Sequence, residues 1–227
     1  MLTLGIDTTA QYCSVAMVDD GRTLTVDQAR MERGQSEMLL PAIVRALTAA
    51  QRDFGDIAAI GVTTGPGAFT GIRIGLATAR GLALALGIPC VGIDSFRALA
   101  QHTKLSAATE EDILAVIDAR RQSVFAQIFS ANGEPDGEPF ESTPEDLLAR
   151  IGDRALRVIG NGAVLIDPAH DEAIHIAAEI DAPDPVAIAR AAAAGVGTDA
   201  DLPRPFYLRP ADARPNPARR KAASDTV

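Results

Sequence analysis

Residues 2–30, LTLGIDTTAQYCSVAMVDDGRTLTVDQAR, decide the fold because they hold successive strand patterns with short connections between them. The patterns are LTLGID at 2–7, YCSVAMVD at 12–19 and RTLTVDQAR at 22–30. Asp20 and Gly21 separate the last two patterns and are typical of a two-residue hairpin loop. The chain is therefore predicted to begin with an antiparallel sheet.

The next segments alternate between helix and strand patterns. Apolar residues at three-and-four spacing predict a helix in residues 37–51, which tolerates Pro41 in its first turns. A short apolar strand at 58–64, a long helix at 69–86 and a strand at 89–94 follow. Three antiparallel strands followed by helix, strand, helix and strand indicate a ribonuclease H-like lobe rather than a purely parallel nucleotide fold.

The second half of the chain repeats this pattern in part. Strands are predicted at 113–119, 124–131, 157–163 and 172–178, and helices at 143–151 and 184–197. We therefore expect an N-terminal lobe at 1–105, a C-terminal lobe at 106–208 and a disordered basic tail at 209–227.

Composition limits the possible functions. The 227 residues carry 21 basic and 30 acidic side chains, and a net charge of −9 argues against nucleic-acid binding over the whole surface. The two cysteines, Cys13 and Cys90, are typical of a reducing compartment. Because the start lacks a basic signal-peptide region and Arg73 and Arg80 interrupt the most apolar stretch, we expect a cytoplasmic protein without a membrane span.

The first candidate site is GIDTT at the end of the opening strand. Asp7 could hold a hydrated magnesium ion, and Thr8 could offer its hydroxyl group to a phosphate. An aspartate at a strand end also commonly serves as a turn former or cap, so both interpretations stay open.

The second candidate is GPGAFTGIRIG at 65–75, between a strand and a helix, where backbone N–H groups suit an anion. It lacks the lysine followed by Ser or Thr of a Walker loop. The spacing of Gly65, Gly67 and Gly71 is one residue too long for the dinucleotide fingerprint. Neither of these phosphate loops is therefore expected.

The helix that follows carries small residues at every fourth position, at Gly71, Gly75, Ala79 and Ala83. Glycine inside a helix costs roughly 1 kcal/mol relative to alanine, so such a stripe indicates close packing of another backbone. The neighbour is either within the chain or across a subunit boundary.

A third set of candidates follows strands of the second lobe, with Asp118 and Arg120 in one turn and Gly160 and Gly162 in another. Both are either ordinary tight turns or parts of a cleft between the lobes that holds a nucleotide. The three histidines include no pair at helical metal spacing, and no nucleophile elbow or zinc motif occurs, so no metal site and no peptidase are expected.

The GPGAFTGIRIG run, together with LGIDTTAQYCSVAM at 4–17, IDARRQSVFAQIF at 117–129 and PFYLR at 205–209, resembles the TsaB (YeaZ) family. The resemblance implies an α/β protein with two ribonuclease H-like lobes of the actin-like ATPase (ASKHA) fold, the second lobe reduced. It also implies a scaffold that is not catalytic alone and pairs with a TsaD-type catalytic subunit and a TsaE-type ATPase. That complex transfers threonylcarbamoyl to N6 of adenosine 37 in tRNAs reading ANN codons, so tRNA is reached through the complex, and the scaffold forms a homodimer when alone.

The resemblance assigns roles to particular residues. Asp7 and Thr8 are a degenerate first phosphate site, Asp118 is its counterpart in the second lobe, and Gly160 and Gly162 are remnants of an adenosine turn. Arg120 replaces a small residue near the phosphates, so weak ATP or ADP binding without turnover is expected. The residues assigned to the partner surface lie on the first two helices and are Leu39, Ile43, Leu47, Gly71, Arg73, Gly75, Ala79 and Ala83.

Two alternatives compete with this interpretation. An active small-molecule kinase or ATPase of the actin-like superfamily would use Asp7 to hold the metal or as a base. A non-enzymatic adaptor with no connection to tRNA would be distinguished only by its partners.

Overall fold

The computed structural model describes residues 1–106, 111–152, 154–166, 174–177, 179–195 and 202–209. These residues form two five-stranded sheets with helices packed on them. The predicted α/β architecture is confirmed. Residues 210–227 of the predicted basic tail lie outside the described residues. Arg209, the first residue of that predicted tail, is hydrogen-bonded to Ser123 and paired with Glu141 in the second lobe, so it does not belong to a disordered tail.

The first sheet and its helices follow the predicted order. The elements are β1 (Leu2–Asp7), β2 (Tyr12–Asp19), β3 (Arg22–Arg30), α1 (Gln35–Ala50), β4 (Ile57–Gly65), α2 (Phe69–Leu86) and β5 (Cys90–Asp94). The spatial order is β3-β2-β1-β4-β5, with β1 antiparallel to β2 and parallel to β4. Asp20 and Gly21 both have positive φ, at 46° and 78°, which is the backbone of the predicted hairpin loop.

The second sheet has the spatial order β10-β9-β6-β7-β8. Its elements, with the helices α3 before it and α5 after it, are α3 (Ser95–Ser106), β6 (Asp112–Arg120), β7 (Ser123–Phe129), β8 (Phe140–Ser142), α4 (Pro144–Ile151), β9 (Leu156–Ile159), β10 (Ile174–Ile176) and α5 (Pro185–Ala193). As in the first lobe, the central strand β6 pairs antiparallel with the next strand, β7, and parallel with a later one, β9. Side-chain caps begin both α4, where Thr143 Oγ1 accepts from Asp146 N at 3.1 Å, and α5, where Asp184 accepts from Val186 N at 2.9 Å.

The sequence patterns missed α3 and β8. Helix α3 follows β5 without a loop, and its start is stabilised by the Asp94 side chain, which accepts from Arg97 N at 2.8 Å. No Gly or Pro separates strand from helix, and the only boundary signal is the N-cap pair Asp94 and Ser95, which the sequence interpretation did not use. Strand β8 has only three residues and depends on pairing with β7, which sequence periodicity does not report.

The two lobes are not consecutive segments of the chain, which corrects the predicted boundaries. Helix α5, predicted within 106–208, packs on β1, β2, β4 and β5 of the first sheet. Helix α3, whose residues all but the last fall in the predicted first lobe at 1–105, contributes Phe96, Leu99 and Ala100 to the core around β6 and β7. The chain therefore crosses between the lobes through α3, returns through α5, and reaches the second lobe again at Arg209.

Two glycines permit the contact between α5 and the first sheet. A Cβ atom at Gly5 would lie 2.0 Å from the Pro185 carbonyl oxygen, and one at Gly61 would lie 2.7 Å from the Ile188 carbonyl oxygen. Gly5 and Gly61 are neighbours on β1 and β4. A side chain at either position would force the helix backbone away from the sheet.

Helix α2 is long and apolar enough to cross a membrane by length and composition alone. In the fold its apolar face packs on β4, β1 and α1, and Ile72, Leu76 and Ala79 belong to the core of the first lobe. Apolar core helices of globular proteins commonly have this composition.

We predict that Gly5→Ala lowers the free energy of unfolding by about 3 kcal/mol or more, because overpacking against helix backbone cannot be relieved by a rotamer change. Gly81→Ala is the matched control: Gly81 is exposed inside α2 with open space around it, and alanine there should raise stability by about 0.5–1 kcal/mol. Urea denaturation followed by circular dichroism measures both. Equal effects of the two substitutions would contradict the close approach of α5.

Candidate functional site

A cleft of about 520 Å³ lies between the two lobes. The first lobe lines it with residues that follow β1, precede α1 and form the loop before α2. The second lobe contributes the end of β6, Phe125 of β7 and Asn161 after β9. The lining includes charged side chains of both signs, Glu32, Arg33, Asp118 and Arg120. Its volume is in the range of a small-molecule site.

Asp7 lies beneath this cleft and is fully buried at the end of β1. Its Oδ1 atom accepts hydrogen bonds from Thr9 Oγ1 at 2.7 Å, Thr9 N at 3.1 Å and Thr63 Oγ1 at 2.6 Å. Its Oδ2 atom has no hydrogen-bond partner among the described residues. Asp7 is not among the residues that line the cleft, whereas Thr9 is.

Burial raises the pKa of the Asp7 carboxyl above its ordinary value of 3.8, and the hydrogen bonds from Thr63 and Thr9 oppose that rise. The threonine hydroxyl groups donate hydrogen bonds that stabilise the ionised carboxylate, but the loss of hydration on burial destabilises the ionised carboxylate by more. The predicted magnesium-binding carboxylate is therefore a buried group whose ionised form is expensive.

Thr8, the predicted phosphate ligand, uses its hydroxyl group inside the first lobe. Thr8 Oγ1 donates to the Gly71 carbonyl oxygen at 2.7 Å. A Cβ atom at Gly71 would lie 1.8 Å from the Thr8 carbonyl oxygen, and one at Gly75 would lie 2.7 Å from Thr8 Oγ1. The small residues at the start of α2 therefore allow the end of β1, at Thr8, to pack directly against the helix.

The predicted partner surface needs a correction. Seven of its eight residues are buried within the first lobe: Leu39, Ile43, Leu47, Gly71, Gly75, Ala79 and Ala83. The resemblance assigned these residues to a partner, but the apolar face of α1 and the small-residue face of α2 pack within the first lobe and form part of its core. Arg73 alone among the eight is exposed.

The exposed sides of the same helices carry other apolar residues. Leu40 and Val44 on α1 are 49% and 45% exposed, and Leu84 on α2 is 82% exposed. Leu40 and Val44 are four residues apart and lie on one side of α1. Arg73 and Leu84 are eleven residues apart, three helical turns, and share a side of α2.

Asp118, at the end of β6, is paired within its own lobe. Its side chain accepts from Arg120 N at 2.8 Å and lies 3.1 Å from an Arg120 guanidinium nitrogen. Arg120, Arg121 and Gln122 all have positive φ, between 55° and 62°, which turns the Arg120 side chain back towards Asp118. The Arg120 guanidinium group therefore lies next to the Asp118 carboxylate, where a nucleotide-binding site would need room for a ligand.

Gly160 and Gly162 pack against the back of β6 rather than facing the cleft. A Cβ atom at Gly160 would lie 2.2 Å from the Val116 carbonyl oxygen, and one at Gly162 would lie 3.0 Å from Asp118 N. The residue between them, Asn161, lines the cleft and accepts from Asp118 N with its Oδ1 at 3.0 Å. The glycines fix this turn, and Asn161 positions Asp118.

Comparisons with known proteins indicate one family. A profile of the family described as TsaD: tRNA N6-adenosine threonylcarbamoyltransferase matches residues 29–212. The chain is 35% identical over 156 residues to tRNA threonylcarbamoyladenosine biosynthesis protein TsaB of Escherichia coli (strain K12), an alignment that covers 66% of each protein. The crystal structure of YeaZ from Pseudomonas aeruginosa superposes with a TM-score of 0.76 at 30% identity, covering 91% of this chain and 99% of that one.

The chain belongs to the TsaB (YeaZ) family. Its fold is also similar to the activator of 2-hydroxyisocaproyl-CoA dehydratase from Clostridium difficile, with a TM-score of 0.56 at 12% identity over 86% of this chain and 96% of that one. The expected fold of two ribonuclease H-like lobes, in the manner of actin-like ATPases, is confirmed.

In this TsaB-family chain the two acids do not fit a nucleotide-bound metal ion. Asp7 lies behind Thr9 with its Oδ1 atom already accepting three hydrogen bonds, and Asp118 is neutralised by Arg120. Across the described part of the chain, no three His, Cys, Asp or Glu side chains are close enough together to share a metal ion. We therefore derive no phosphoryl-transfer step for the cleft.

Sequence reasoning missed several residues of this site, chiefly Thr63, Ser95 and Arg33. Thr63 lies at the end of β4, beside Asp7 on the parallel strand β1, and Ser95 Oγ lies 3.4 Å from Thr9 Oγ1. Polar residues at the same end of adjacent parallel strands are a usable signal, since those ends meet at one sheet edge. Arg33 carries no such signal, because it lies in the connection before α1.

The buried carboxyl of Asp7 leads to a pH prediction. Because its folded-state pKa is raised, the ionised group costs stability at neutral pH, and that cost disappears as pH falls through the folded pKa towards 3.8. We expect Asp7→Asn to become more stable relative to the parent as pH rises from about 4 to 7. Urea denaturation across this range measures the difference.

Thr63→Val is the matched control and acts in the opposite direction. It removes a donor to the ionised form, so it should lower the free energy of unfolding at neutral pH by about 1–3 kcal/mol and by less in acid. A difference between Asp7→Asn and the parent that stays constant with pH would contradict the raised pKa.

Proposed function

We propose that this chain is a non-catalytic scaffold subunit in the formation of threonylcarbamoyladenosine in tRNA, paired with a TsaD-type catalytic subunit and assisted by a TsaE-type ATPase. Membership of the TsaB family supports the tRNA-modification role, since the E. coli relative is named for threonylcarbamoyladenosine biosynthesis. On this proposal the chain works in the cytoplasm and meets tRNA through the complex.

One observation carries the non-catalytic part of the proposal, namely that the two acids predicted for the nucleotide site, Asp7 and Asp118, are engaged by other groups of the chain. Asp7 accepts from two threonines beneath the surface, and Asp118 accepts from Arg120. A carboxylate that holds a metal or acts as a base must present an oxygen to the substrate. Asp7 does not line the cleft, and Asp118, which does, is paired there with Arg120, which favours a scaffold over the kinase alternative.

We infer that the cleft binds ATP or ADP weakly and without turnover. Its volume and its two arginines, Arg33 and Arg120, suit an anionic ligand of that size. The carboxylates Glu32 and Asp118 offset much of that charge, which limits the affinity for phosphates.

We place the surface for the TsaD-type subunit on the exposed sides of α1 and α2, around Val44, Arg73 and Leu84. These helices contact each other, so their exposed apolar residues lie on neighbouring parts of one lobe. Exposed large apolar side chains on adjacent helices favour a protein partner. When the partner is absent, the same surface would pair two copies of this chain.

The scaffold function is tested by reconstituting the modification of tRNA. The cognate TsaD-type and TsaE-type proteins and the enzyme that forms threonylcarbamoyl-adenylate are combined with and without this chain, and modified adenosine is measured by mass spectrometry. We expect product only when the chain is present, and Asp118→Asn should retain product within about twofold because no chemistry is assigned to it. Magnesium-dependent ATP turnover by the isolated chain that is lost in Asp7→Ala would instead favour the kinase alternative.

The partner surface is tested with charge substitutions. We expect Val44→Glu and Leu84→Glu each to weaken association with the TsaD-type subunit about tenfold, roughly 1.4 kcal/mol, by placing a charge in an apolar contact. Isothermal titration calorimetry gives the affinity, and sedimentation velocity gives the homodimer content. Val164→Glu is the control, since Val164 is 71% exposed on the other lobe and should have no effect.

A substitution at Gly75 does not test this surface, because a side chain there would collide with Thr8 and disturb the first lobe. Unchanged affinity in both Val44→Glu and Leu84→Glu would exclude the exposed sides of α1 and α2 as the contact.

A further inference from the structure

The last described segment, residues 202–209, runs along the first lobe before it reaches the second. Pro203 packs on Gly92 of β5, where an added Cβ atom would lie 2.8 Å from the Pro203 Cβ. Phe206 N donates to the Thr64 carbonyl oxygen at 2.8 Å, at the end of β4. A Cβ atom at Gly65 would lie 2.6 Å from the Phe206 carbonyl oxygen, so the segment lies directly against the strand backbone.

The next residue, Tyr207, attaches the segment to the start of α2. Its ring centroid lies 5.4 Å from that of Phe69. Arg73 stacks on the Phe69 ring, with its guanidinium carbon 3.8 Å from the ring centroid. The Nε atom of Arg73 also donates a hydrogen bond to the Tyr207 hydroxyl oxygen at 3.2 Å. Aromatic and cation–π contacts of this kind each contribute about 0.5–1.5 kcal/mol.

The final two residues contact the second lobe. Leu208 packs against the core cluster that contains Phe96, Ile117 and Phe125. Arg209 donates to Ser123 Oγ at 2.7 Å and to the Ala119 carbonyl oxygen at 3.3 Å, and it forms a two-nitrogen ion pair with Glu141.

These contacts join three elements of the second lobe at one side chain. Arg209 reaches the end of β6 at Ala119, the start of β7 at Ser123 and the edge strand β8 at Glu141. A planar guanidinium with several donors can hold such a set of acceptors, which an ammonium group cannot match. The Arg209 guanidinium also lowers the pKa of the Glu141 carboxyl, as a formed ion pair does.

We propose that residues 203–209 act as a clasp that fixes the angle between the two lobes, with Tyr207 holding its first-lobe end and Arg209 its second-lobe end. Tyr207 and Arg209 are two residues apart in the chain, and their side chains contact different lobes. Rotation of one lobe against the other would therefore break the contacts of Tyr207 or those of Arg209. Gly67, Phe69, Ala119 and Phe125 line both the interlobe cleft and a smaller neighbouring pocket, and that second pocket is also lined by the clasp residues Phe206, Tyr207, Leu208 and Arg209. The clasp therefore lies beside the cleft.

The clasp also contacts α2 through Tyr207. Arg73 donates to Tyr207 and is itself exposed, so a change in the position of the Arg73 side chain is transmitted to the clasp through one hydrogen bond and one aromatic pair. Coupling of this kind needs a contact with two arrangements, attached and released, rather than a continuous deformation.

The experiment measures the distance between the lobes directly. Spin labels are attached to cysteines introduced at two exposed alanines, Ala49 on α1 and Ala149 on α4, in a chain whose native Cys13 and Cys90 are replaced by serine or alanine. Double electron–electron resonance then gives the distribution of label separations. In the parent we expect a single narrow distribution.

Arg209→Ala and Tyr207→Ala are each expected to broaden this distribution about twofold or to add a second, longer distance, since Arg209→Ala removes the polar contacts of the second-lobe end and Tyr207→Ala removes the contacts with Phe69 and Arg73 at the first-lobe end. Arg209→Lys should give an intermediate width, because it keeps a charge opposite Glu141 but not the other contacts. Circular dichroism and the unfolding midpoint establish that each variant is folded.

Arg154→Ala is the matched control. Arg154 forms ion pairs with Asp112 and Asp136, and all three residues belong to the second lobe, so its removal breaks comparable contacts without linking the lobes. A distribution that stays narrow in folded Arg209→Ala and Tyr207→Ala, or that broadens equally in Arg154→Ala, would overturn the clasp.

Discussion

The architecture depends on the close approach of α5 to the first sheet. The helix backbone lies against β1 and β4 at Gly5 and Gly61, where an added Cβ atom would collide with helix carbonyl groups. Because α5 follows the second-lobe strands in the chain, this contact draws the end of the second lobe back onto the first. The position of the cleft, with β1 on one side and β6 on the other, follows from that return.

The same geometry explains the state of Asp7. With α5 covering one face of the first sheet and α1 and α2 the other, the end of β1 is enclosed and its carboxyl group is fully buried. Hydrogen bonds from Thr9 and Thr63 stabilise the charged form, but burial outweighs them, so the pKa of Asp7 is raised. A sheet covered on both faces thus removes from the cleft the acid that the sequence had suggested as a metal ligand.

Much of the fold could be predicted from residues 2–30 and the periodicity that follows, because strand, hairpin and helix signals there are local. The lobe boundaries could not, since the contact of α5 with β1 joins residues about 180 positions apart and leaves no periodic signal. The same limit affected the partner surface. Three-and-four spacing identifies the apolar face of a helix, but it does not say whether that face meets its own sheet or another protein, and Leu39, Ile43 and Gly75 meet their own.

The acids at and near the cleft bear on both the proposed scaffold function and the proposed clasp. Arg120 pairs with Asp118, Thr63 donates to one carboxyl oxygen of Asp7, and Arg209 pairs with Glu141, so groups of the chain itself engage all three of these acids. An enzyme of this fold would leave such acids for a ligand, and the lobes would then respond to ligand binding. Where internal partners engage the acids, as proposed for Arg209 and Glu141 in the clasp, the lobes would keep one arrangement without a ligand. A constant shape of that kind is what a scaffold needs to present its helices to another subunit.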